Sequence, residues 1–385
     1  MKKIIIIVLL LFILVGCETT PTDSGEPTPS VPNGLEPLTA VDDCDVPTLE
    51  GGWVCIWADE FEGPDIDEDK WNFEIDGGGG GNNELQYYRK ENASIENGNL
   101  IITANRESFG GRQYTSARMT TKYKGTFEYV RIVVSAKMPT GRGTWPAIWM
   151  MPLMNSYGGW PNSGEIDIVE YVGYDPTRIH STIHTKRFNH ILGTQIGFNK
   201  VVENLDTEFH EYEMIWSPGN IQSFHNGEKY AEFNYVAQFT QDAPYHEAFP
   251  FDQPFYLILN LAIGGNWGGV QGVDDSIFPA TFEIEHVRVY KQDYAVLDNE
   301  APTTPEDLQL AQLKNTIFWK RSTDDYGVEE YAVYLDGAFH RYASLNQITF
   351  NGLIAGETYQ VQIQAVDFVG RTSELSDVLL FTYSG

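Results

Sequence analysis

Short runs of β-branched and aromatic residues, separated by turn residues, recur along most of the chain after about residue 47. SIENGNLIITANRE and FEYVRIVVSAKMP are examples, and SFHNGEKYAEF predicts a hairpin around Asn226 and Gly227. Long amphipathic helical patterns are scarce. A series of short strands joined by turns predicts an all-β protein built as a sandwich or a barrel.

The pattern changes character at residues 293–300, which predicts a boundary between two folded parts. Residues 47–293 form the larger part, and residues 294–385 hold several further strand-like runs. In TYQVQIQAVD, apolar side chains alternate with polar ones, so one face of this strand is expected to be buried. Trp319, Tyr331 and Tyr334 are natural core aromatics for a second, smaller sandwich.

The N-terminus predicts export and lipid attachment. In residues 1–16, two lysines precede an apolar run that is too short to span a bilayer comfortably and has the form of a signal peptide. LVGC is similar to the lipobox of bacterial lipoproteins, in which Cys17 would become the lipidated first residue. An ordinary secretory signal is the alternative. Residues 17–46, rich in Pro, Thr, Ser and acid, are predicted to tether the protein to the bacterial cell envelope, at the outer membrane or cell surface.

Two cysteines remain if Cys17 carries lipid. Cys44 and Cys55 lie close in sequence, and an exported protein permits a disulfide between them, although spacing alone does not prove one. Without nearby histidines they do not predict a zinc site.

The charge balance constrains the partner. The chain has 54 acidic against 25 basic residues and a net charge of −29. A surface this acidic repels nucleic acid and other polyanions, so a neutral partner is expected. Solubility alone is the alternative explanation of the acidity.

The segment SGEIDIVEY at residues 163–171 places acids among branched apolar residues. In a regular strand Glu165 and Asp167 share a face, whereas Glu170 lies on the other. One extra residue within Ile168-Val169, a β-bulge, would return Glu170 to the first face. Three acids on one surface are typical of a carboxyl pair for retaining glycoside hydrolysis. A solvated strand edge and a calcium site are the alternatives, but the apolar surroundings disfavour the first and the spacing disfavours the second.

Several segments together resemble glycoside hydrolase family 16, in the form with the extra residue in GEIDIVE. The others are WADEFEG, GNNELQYY, YTSARMTT, GTWPAIWMMP and FYLILNLAIGGNWGG, spread over nearly all of residues 47–292. Their combination is most similar to the laminarinases, which are endo-acting β-1,3-glucanases. The resemblance implies a β-jelly roll of two curved antiparallel sheets with the glucan lying across the concave face. Residues 294–385 resemble a fibronectin type III domain, an immunoglobulin-like sandwich.

The family resemblance also assigns roles to the three acids. It implies that Glu165 is the nucleophile, that Glu170 is the general acid and base, and that Asp167 lies between them and balances proton and charge. Spacing alone does not decide which glutamate has which role. Crowded carboxylates separate their pKa values, as the reaction requires.

A sugar site pairs aromatic platforms with polar groups. At least one of the predicted platforms is expected to be a core residue instead, and a structural role for the histidine is an open alternative to sugar contact. The predicted platforms are Trp145, Trp149, Trp160 and Trp267, and the predicted polar contacts are Asn83, Glu84, Arg118, His184 and Asn266.

No cofactor is expected for catalysis. The resemblance implies a structural calcium on the convex side at Glu60, Gly98 and Glu285, although this family commonly has Asp at the last position. Five consecutive glycines at residues 77–81 stand where relatives often carry a Trp, so one platform is expected to be absent.

The sequence leaves several functions open. A retaining endo-β-1,3-glucanase acting as a monomer is the leading hypothesis. A family 16 enzyme on mixed-linkage glucan or on a galactan such as agarose is the first alternative. A glucan-binding protein without catalysis and a transglycosylase are the others, although both glutamates are present.

Overall fold

The computed structural model describes residues 38–385, of which strands form the greater part of the regular structure. The predicted signal peptide, Cys17 and most of the predicted tether lie outside the described residues. Among the helices of the described part, none is long and apolar enough to cross a membrane.

The larger part of the chain contributes nineteen of the strands found in residues 38–385. They are β1 (Thr48–Leu49), β2 (Trp53–Asp59), β3 (Asn72–Phe73), β4 (Gln86–Tyr88), β5 (Ala93–Glu96), β6 (Asn99–Ala104), β7 (Tyr114–Ser116), β8 (Arg118–Thr120), β9 (Thr126–Phe127), β10 (Arg131–Lys137), β11 (Thr144–Pro152), β12 (Glu165–Tyr171), β13 (Arg178–His184), β14 (Ile196–Val201), β15 (His210–Ser217), β16 (Asn220–His225), β17 (Glu228–Asn234), β18 (Phe255–Ile263) and β19 (Ala280–Gln292).

The remaining elements are short helices and the C-terminal strands. The 3-10 helices are Lys90–Asn92, Ala237–Thr240, Tyr245–Glu247 and Asp275–Ile277, and the α-helix α1 is Tyr294–Leu297. The C-terminal strands are β20 (Glu306–Leu310), β21 (Thr316–Lys320), β22 (Val328–Leu335), β23 (Ala338–Ala343), β24 (Gln347–Thr349), β25 (Thr358–Asp367) and β26 (Leu379–Thr382).

Two antiparallel sheets pack face to face in the larger part. One has the order β1-β2-β19-β10-β15-β16-β17, with β6 also paired to β19 and β5 to β6. The other has the order β14-β13-β12-β11-β18-β8-β3, with β9 also paired to β18. Side chains from both sheets, such as Ile132 and Val134 from one and Ile148, Ile166 and Leu259 from the other, form one core. The predicted all-β sandwich is confirmed.

Alternation along β11 shows how the sequence creates a core face and a cleft face. In TWPAIWMMP, Ile148 and Met150 are fully buried in the core between the sheets. Trp145, Ala147 and Trp149 occupy the intervening positions and therefore face the other side of the sheet. That outer face of the second sheet carries the groove described below.

The C-terminal strands form sheets of order β20-β21-β24 and β23-β22-β25-β26 with their own apolar core. The predicted core residues Trp319 and Tyr331 both lie in this core. The prediction for Tyr334 is wrong, because its ring is only partly buried and its hydroxyl donates to Gln364 Oε1 at 3.0 Å. Phe318 and Leu345 instead join the core cluster of the larger part. The Gln347 amide also donates to the Thr240 carbonyl at 3.0 Å, and both residues are buried. The two parts are thus packed against each other through buried contacts.

Cys44 and Cys55 form a disulfide across a separation of 11 residues, and both are buried. We expect Cys44→Ala/Cys55→Ala to lower the free energy of unfolding by about 2–3 kcal/mol, because a cross-link of this loop length restricts the unfolded chain. Urea unfolding followed by tryptophan fluorescence measures the loss. Wild-type protein unfolded under reducing conditions is the control and should show a comparable loss. An unchanged urea midpoint would contradict the prediction.

Candidate active site

The strand β12 contains the predicted β-bulge. Asp167 pairs with Thr182 and Glu170 with His180, so Ile168 and Val169 together oppose one residue of β13. The register against β11 shifts at the same place. Ile168 and Val169 are both buried in the core, which explains why the extra residue is apolar. The bulge returns Glu170 to the face of Glu165 and Asp167.

The acids are held by indole and imidazole groups. The Trp160 Nε1–H donates to Glu165 Oε2 at 2.8 Å, and the Trp145 Nε1–H donates to Glu170 Oε1 at 3.1 Å. His184 Nε2 lies 3.4 Å from Asp167 Oδ2 and 3.7 Å from Glu165 Oε1. Each glutamate therefore has a separate aromatic donor, while the aspartate lies beside the histidine.

Burial raises the pKa of Glu165, Asp167 and Glu170, each to about 8. The charge of Asp167 raises the pKa of both glutamates further, whereas His184 lowers both. Because like charges oppose one another, ionisation of one acid favours protonation of its neighbours. The site can therefore hold a carboxylate and a carboxylic acid side by side near neutral pH, as a nucleophile and a general acid require.

Two cavities share these glutamates. One has a volume of 360 Å³ and the other 500 Å³, and Glu165, Glu170, Trp145 and Asn82 line both. The acids therefore lie where the two halves of one groove meet, and a chain substrate could occupy the groove on both sides of the reacting bond.

The four predicted tryptophans all line the groove. Trp149 and Trp160 line the first cavity, Trp267 lines the second, and Trp145 lines both. Trp145 is also 9% exposed and packs in a small apolar cluster with Val172. It therefore combines the expected core role with contact to Glu170.

The predicted polar residues have different surroundings. Glu84 and Arg118 line the first cavity, and His184 and Asn266 line the second. Asn83 lines neither, but its amide donates to Asn266 Oδ1 at 2.9 Å. Asn83 is thus placed to orient Asn266.

Glu84 and Arg118 are tied to protein groups in the groove. The buried Glu84 carboxylate accepts from Gln86 Nε2 at 2.7 Å and from the Tyr88 hydroxyl at 2.9 Å. The Arg118 guanidinium lies 4.7 Å from the centre of the Trp149 ring and pairs with Glu74. Both side chains therefore support the groove as well as lining it.

Some groove residues were not predicted from the sequence. Asn260 accepts from the Trp149 Nε1–H at 2.7 Å, and His180 and His190 line the second cavity. Asn260 interrupts the apolar strand FYLILNLAI, and His180 lies two pleat steps before His184 on β13. A buried amide in an apolar strand and a period-two polar pattern were the available signals.

The glycine segment lies at the groove, where Gly80 and Gly81 line the first cavity. Gly79, Gly80 and Gly81 all have positive φ angles, and a side chain at Gly80 would overlap the Glu84 carboxylate. Glycine is therefore required here by the backbone conformation and by the close approach to Glu84.

The three positions predicted for calcium meet on the other sheet, because β19 pairs with both β2 and β6. The carboxylates of Glu60 and Glu285 already have hydrogen-bond partners. Both oxygens of Glu60 accept from Arg288 at 2.7 Å, and Glu285 accepts from the Ser135 hydroxyl at 2.7 Å. Calcium at Glu60, Gly98 and Glu285 therefore stays a prediction, with backbone carbonyl oxygens as most of its expected ligands, and no catalytic step uses it.

Comparison with known proteins agrees with this geometry. The sequence profile of glycosyl hydrolases family 16 matches residues 81–295. A beta-glucanase of Rhodothermus marinus is 42% identical over 288 residues, which cover 73% of this chain and 93% of the relative. A glucan endo-1,3-beta-glucosidase of Cryptopygus antarcticus is 40% identical over 254 residues, which cover 62% of this chain and 92% of the relative.

A solved structure extends the likeness to the fold. The X-ray structure of the laminarinase from Rhodothermus marinus matches with a TM-score of 0.60 and 47% sequence identity, over 62% of this chain and 97% of that one. The sandwich of residues 38–293 is accordingly the expected jelly roll. The chain belongs to glycosyl hydrolases family 16 and is a glycoside hydrolase.

Proposed function

We propose that the protein is a retaining endo-β-1,3-glucanase. The observation that carries this proposal is the position of Glu165 and Glu170 at the junction of two cavities, which suits cleavage within a chain rather than at its end. The four indoles of the groove suit the apolar faces of sugar rings, and the net charge of −29 favours a neutral polymer. The choice of a β-1,3-linked glucan follows the names of two relatives, the glucan endo-1,3-beta-glucosidase and the laminarinase.

In the first proposed step, Glu165 attacks the anomeric carbon and the bond to the departing sugar oxygen breaks. Glu170 gives its proton to that oxygen, so the leaving chain departs as a neutral alcohol. Burial and the Asp167 charge raise the pKa of both glutamates to about 8, and each accepts one indole hydrogen bond that favours its ionised form. These contacts act alike on the two residues, so the assignment of nucleophile and acid follows the family resemblance.

In the second proposed step, Glu170 has become a carboxylate and takes a proton from water. The water oxygen bonds to the anomeric carbon, and the bond to Glu165 breaks. Two inversions return the β-configuration. Asp167, 3% exposed and beside His184, would balance charge between the glutamates as the proton moves.

Purified protein incubated with laminarin, lichenan, agarose and carrageenan tests the substrate. We expect new reducing ends from laminarin above all, with a rapid fall in polymer length because cleavage is internal. Faster release from lichenan would favour the mixed-linkage alternative, and release from agarose the galactan alternative. Binding to laminarin without any release would support a glucan-binding protein and overturn the enzymatic proposal.

The setting of the enzyme is a further part of the proposal. Cys17 would carry lipid and hold a monomeric enzyme on the bacterial envelope, with the tether giving it reach toward polysaccharide. The C-terminal sheets, of three and four strands in the described residues, suit a fibronectin type III-like module that spaces or supports the catalytic part.

A further inference from the structure

Aspartates from three loops meet beside the linker that follows α1. Asp298 comes directly after that helix, Asp324 and Asp325 lie in the loop between β21 and β22, and Asp367 ends β25. One carboxylate oxygen from each of Asp298, Asp324 and Asp325 lies within 4.8 Å of the others. We call these four residues the Asp298 cluster. It lies outside the groove and takes no part in the proposed reaction.

Each of three carboxylates in the cluster uses one oxygen to hold the protein and leaves the other without a partner. Asp324 Oδ1 accepts from the Tyr326 and Gly327 amides at 2.9 and 3.0 Å, and Asp367 Oδ1 accepts from two backbone amides of its own loop. Asp298 Oδ1 accepts from Arg371 at 3.1 Å. The Oδ2 atom of each is buried without a hydrogen-bond partner.

A buried, charged oxygen without a hydrogen-bond partner costs folding free energy, and a bound cation would remove that cost. Asp298 is 2% exposed and Asp367 is fully buried. Arg371 supplies one positive charge against four negative ones, which leaves a net charge of −3 for this group.

We propose that the Asp298 cluster binds a calcium ion that joins the linker to the loops of the C-terminal sheets. Calcium takes six to eight oxygen ligands at about 2.3–2.6 Å, so two ligands of one ion lie at most about 5 Å apart, as one oxygen each of Asp298, Asp324 and Asp325 does. The cluster offers oxygen ligands without His or Cys, which favours a hard cation over zinc. Irregular loop geometry favours calcium over magnesium, which demands a near-ideal octahedron.

Calorimetric titration of metal-stripped, full-length protein with calcium chloride tests the proposal. Asp324→Asn/Asp325→Asn should bind one calcium ion fewer per chain than wild type. The matched control, Glu374→Gln/Asp377→Asn, removes two charges from exposed positions of the same part and should bind as wild type does. The separately predicted positions around Glu60 are unchanged in all three proteins, so they cannot produce the difference.

Two further measurements keep the result decisive if the double variant folds poorly. Asp325→Asn changes only an exposed residue and should weaken calcium binding at least about tenfold, since it removes one charged ligand. Saturating calcium should raise the melting temperature of wild type by roughly 4 °C or more, but not that of the double variant. Equal calcium binding and equal melting responses in wild type and both variants would overturn the proposal, and an equal response to magnesium would overturn the choice of calcium.

Discussion

Glu165→Gln is expected to reduce turnover of laminarin on the order of 10⁴-fold or more, because an amide cannot form the glycosyl-enzyme bond. Glucan binding should persist, since glutamine keeps the shape of the side chain and an oxygen that accepts from the Trp160 indole. Reducing-end release measures the turnover, and calorimetric titration with a laminarin oligosaccharide measures the binding.

Stability separates this loss from unfolding. Burial raises the pKa of Glu165 in the folded protein above its value in the unfolded chain. At a pH above the unfolded-state pKa, this difference lowers the free energy of unfolding. A neutral glutamine removes this cost, and Glu165→Gln should melt at or above the wild-type temperature near pH 7. Glu211→Gln, an exposed change on the opposite sheet, is the control and should keep full activity. Near-normal turnover by Glu165→Gln would show that another group is the nucleophile.

The strand β12 could be predicted because its sequence signal is local. The apolar residues of EIDIVEY predict a strand, and the phase of Glu170 against Glu165 predicts one extra residue. The structure has that residue between Asp167 and Glu170. The core accounts for it physically, because Ile168 and Val169 can both be buried only if the strand kinks. The assignment of roles to the two glutamates rests on the family resemblance, because their spacing does not show which one is the nucleophile.

The surroundings of the acids could not be predicted in the same way because they depend on contacts distant in sequence. Asn260 on β18 accepts from Trp149 on the adjacent strand β11. The segment FYLILNLAI does not by itself indicate which indole Asn260 contacts. Glu84 was predicted as a sugar contact, yet its carboxylate also holds Tyr88 and Gln86. The register of β11 against β18 brings Trp149 and Asn260 together, although they are 111 residues apart in sequence, so the local pattern around either residue does not give the contact.

The linker illustrates the same limit in the C-terminal part. Asp324 and Asp325 are adjacent in STDDYG, but the other carboxylates near them belong to Asp298 and Asp367. Arg371 also reaches Asp298 across 73 residues of sequence. A cluster gathered from three loops therefore becomes visible only when the strands that support those loops are paired.

Glu170→Gln should lower the rate on laminarin by about 10²–10⁴-fold, because the departing sugar then leaves without a proton. The loss should be much smaller on an aryl β-laminaribioside whose phenol leaves readily as an anion. Burial raises the pKa of Glu170 to about 8, and the acid must be protonated to act, so wild-type activity should fall as the pH rises through this region. With Glu170→Gln and the activated substrate, this alkaline decline should disappear, and the rate should instead rise with pH until Glu165, whose pKa burial also raises to about 8, is ionised.

Azide distinguishes the two glutamates by stereochemistry. In Glu170→Ala, azide needs no general base and attacks the glycosyl-enzyme from the face that the aryl group left, so the product is the β-glycosyl azide. In Glu165→Ala, azide replaces the nucleophile and attacks once from the opposite face, so the product is the α-glycosyl azide. Proton NMR of the anomeric hydrogen separates the two products, and Glu211→Gln, which keeps both glutamates, should form neither. Exchanged products would mean that the two glutamates have the opposite roles. In each variant, azide attacks from the side of the sugar ring on which the removed carboxyl group lay, so the anomer of the product identifies that side.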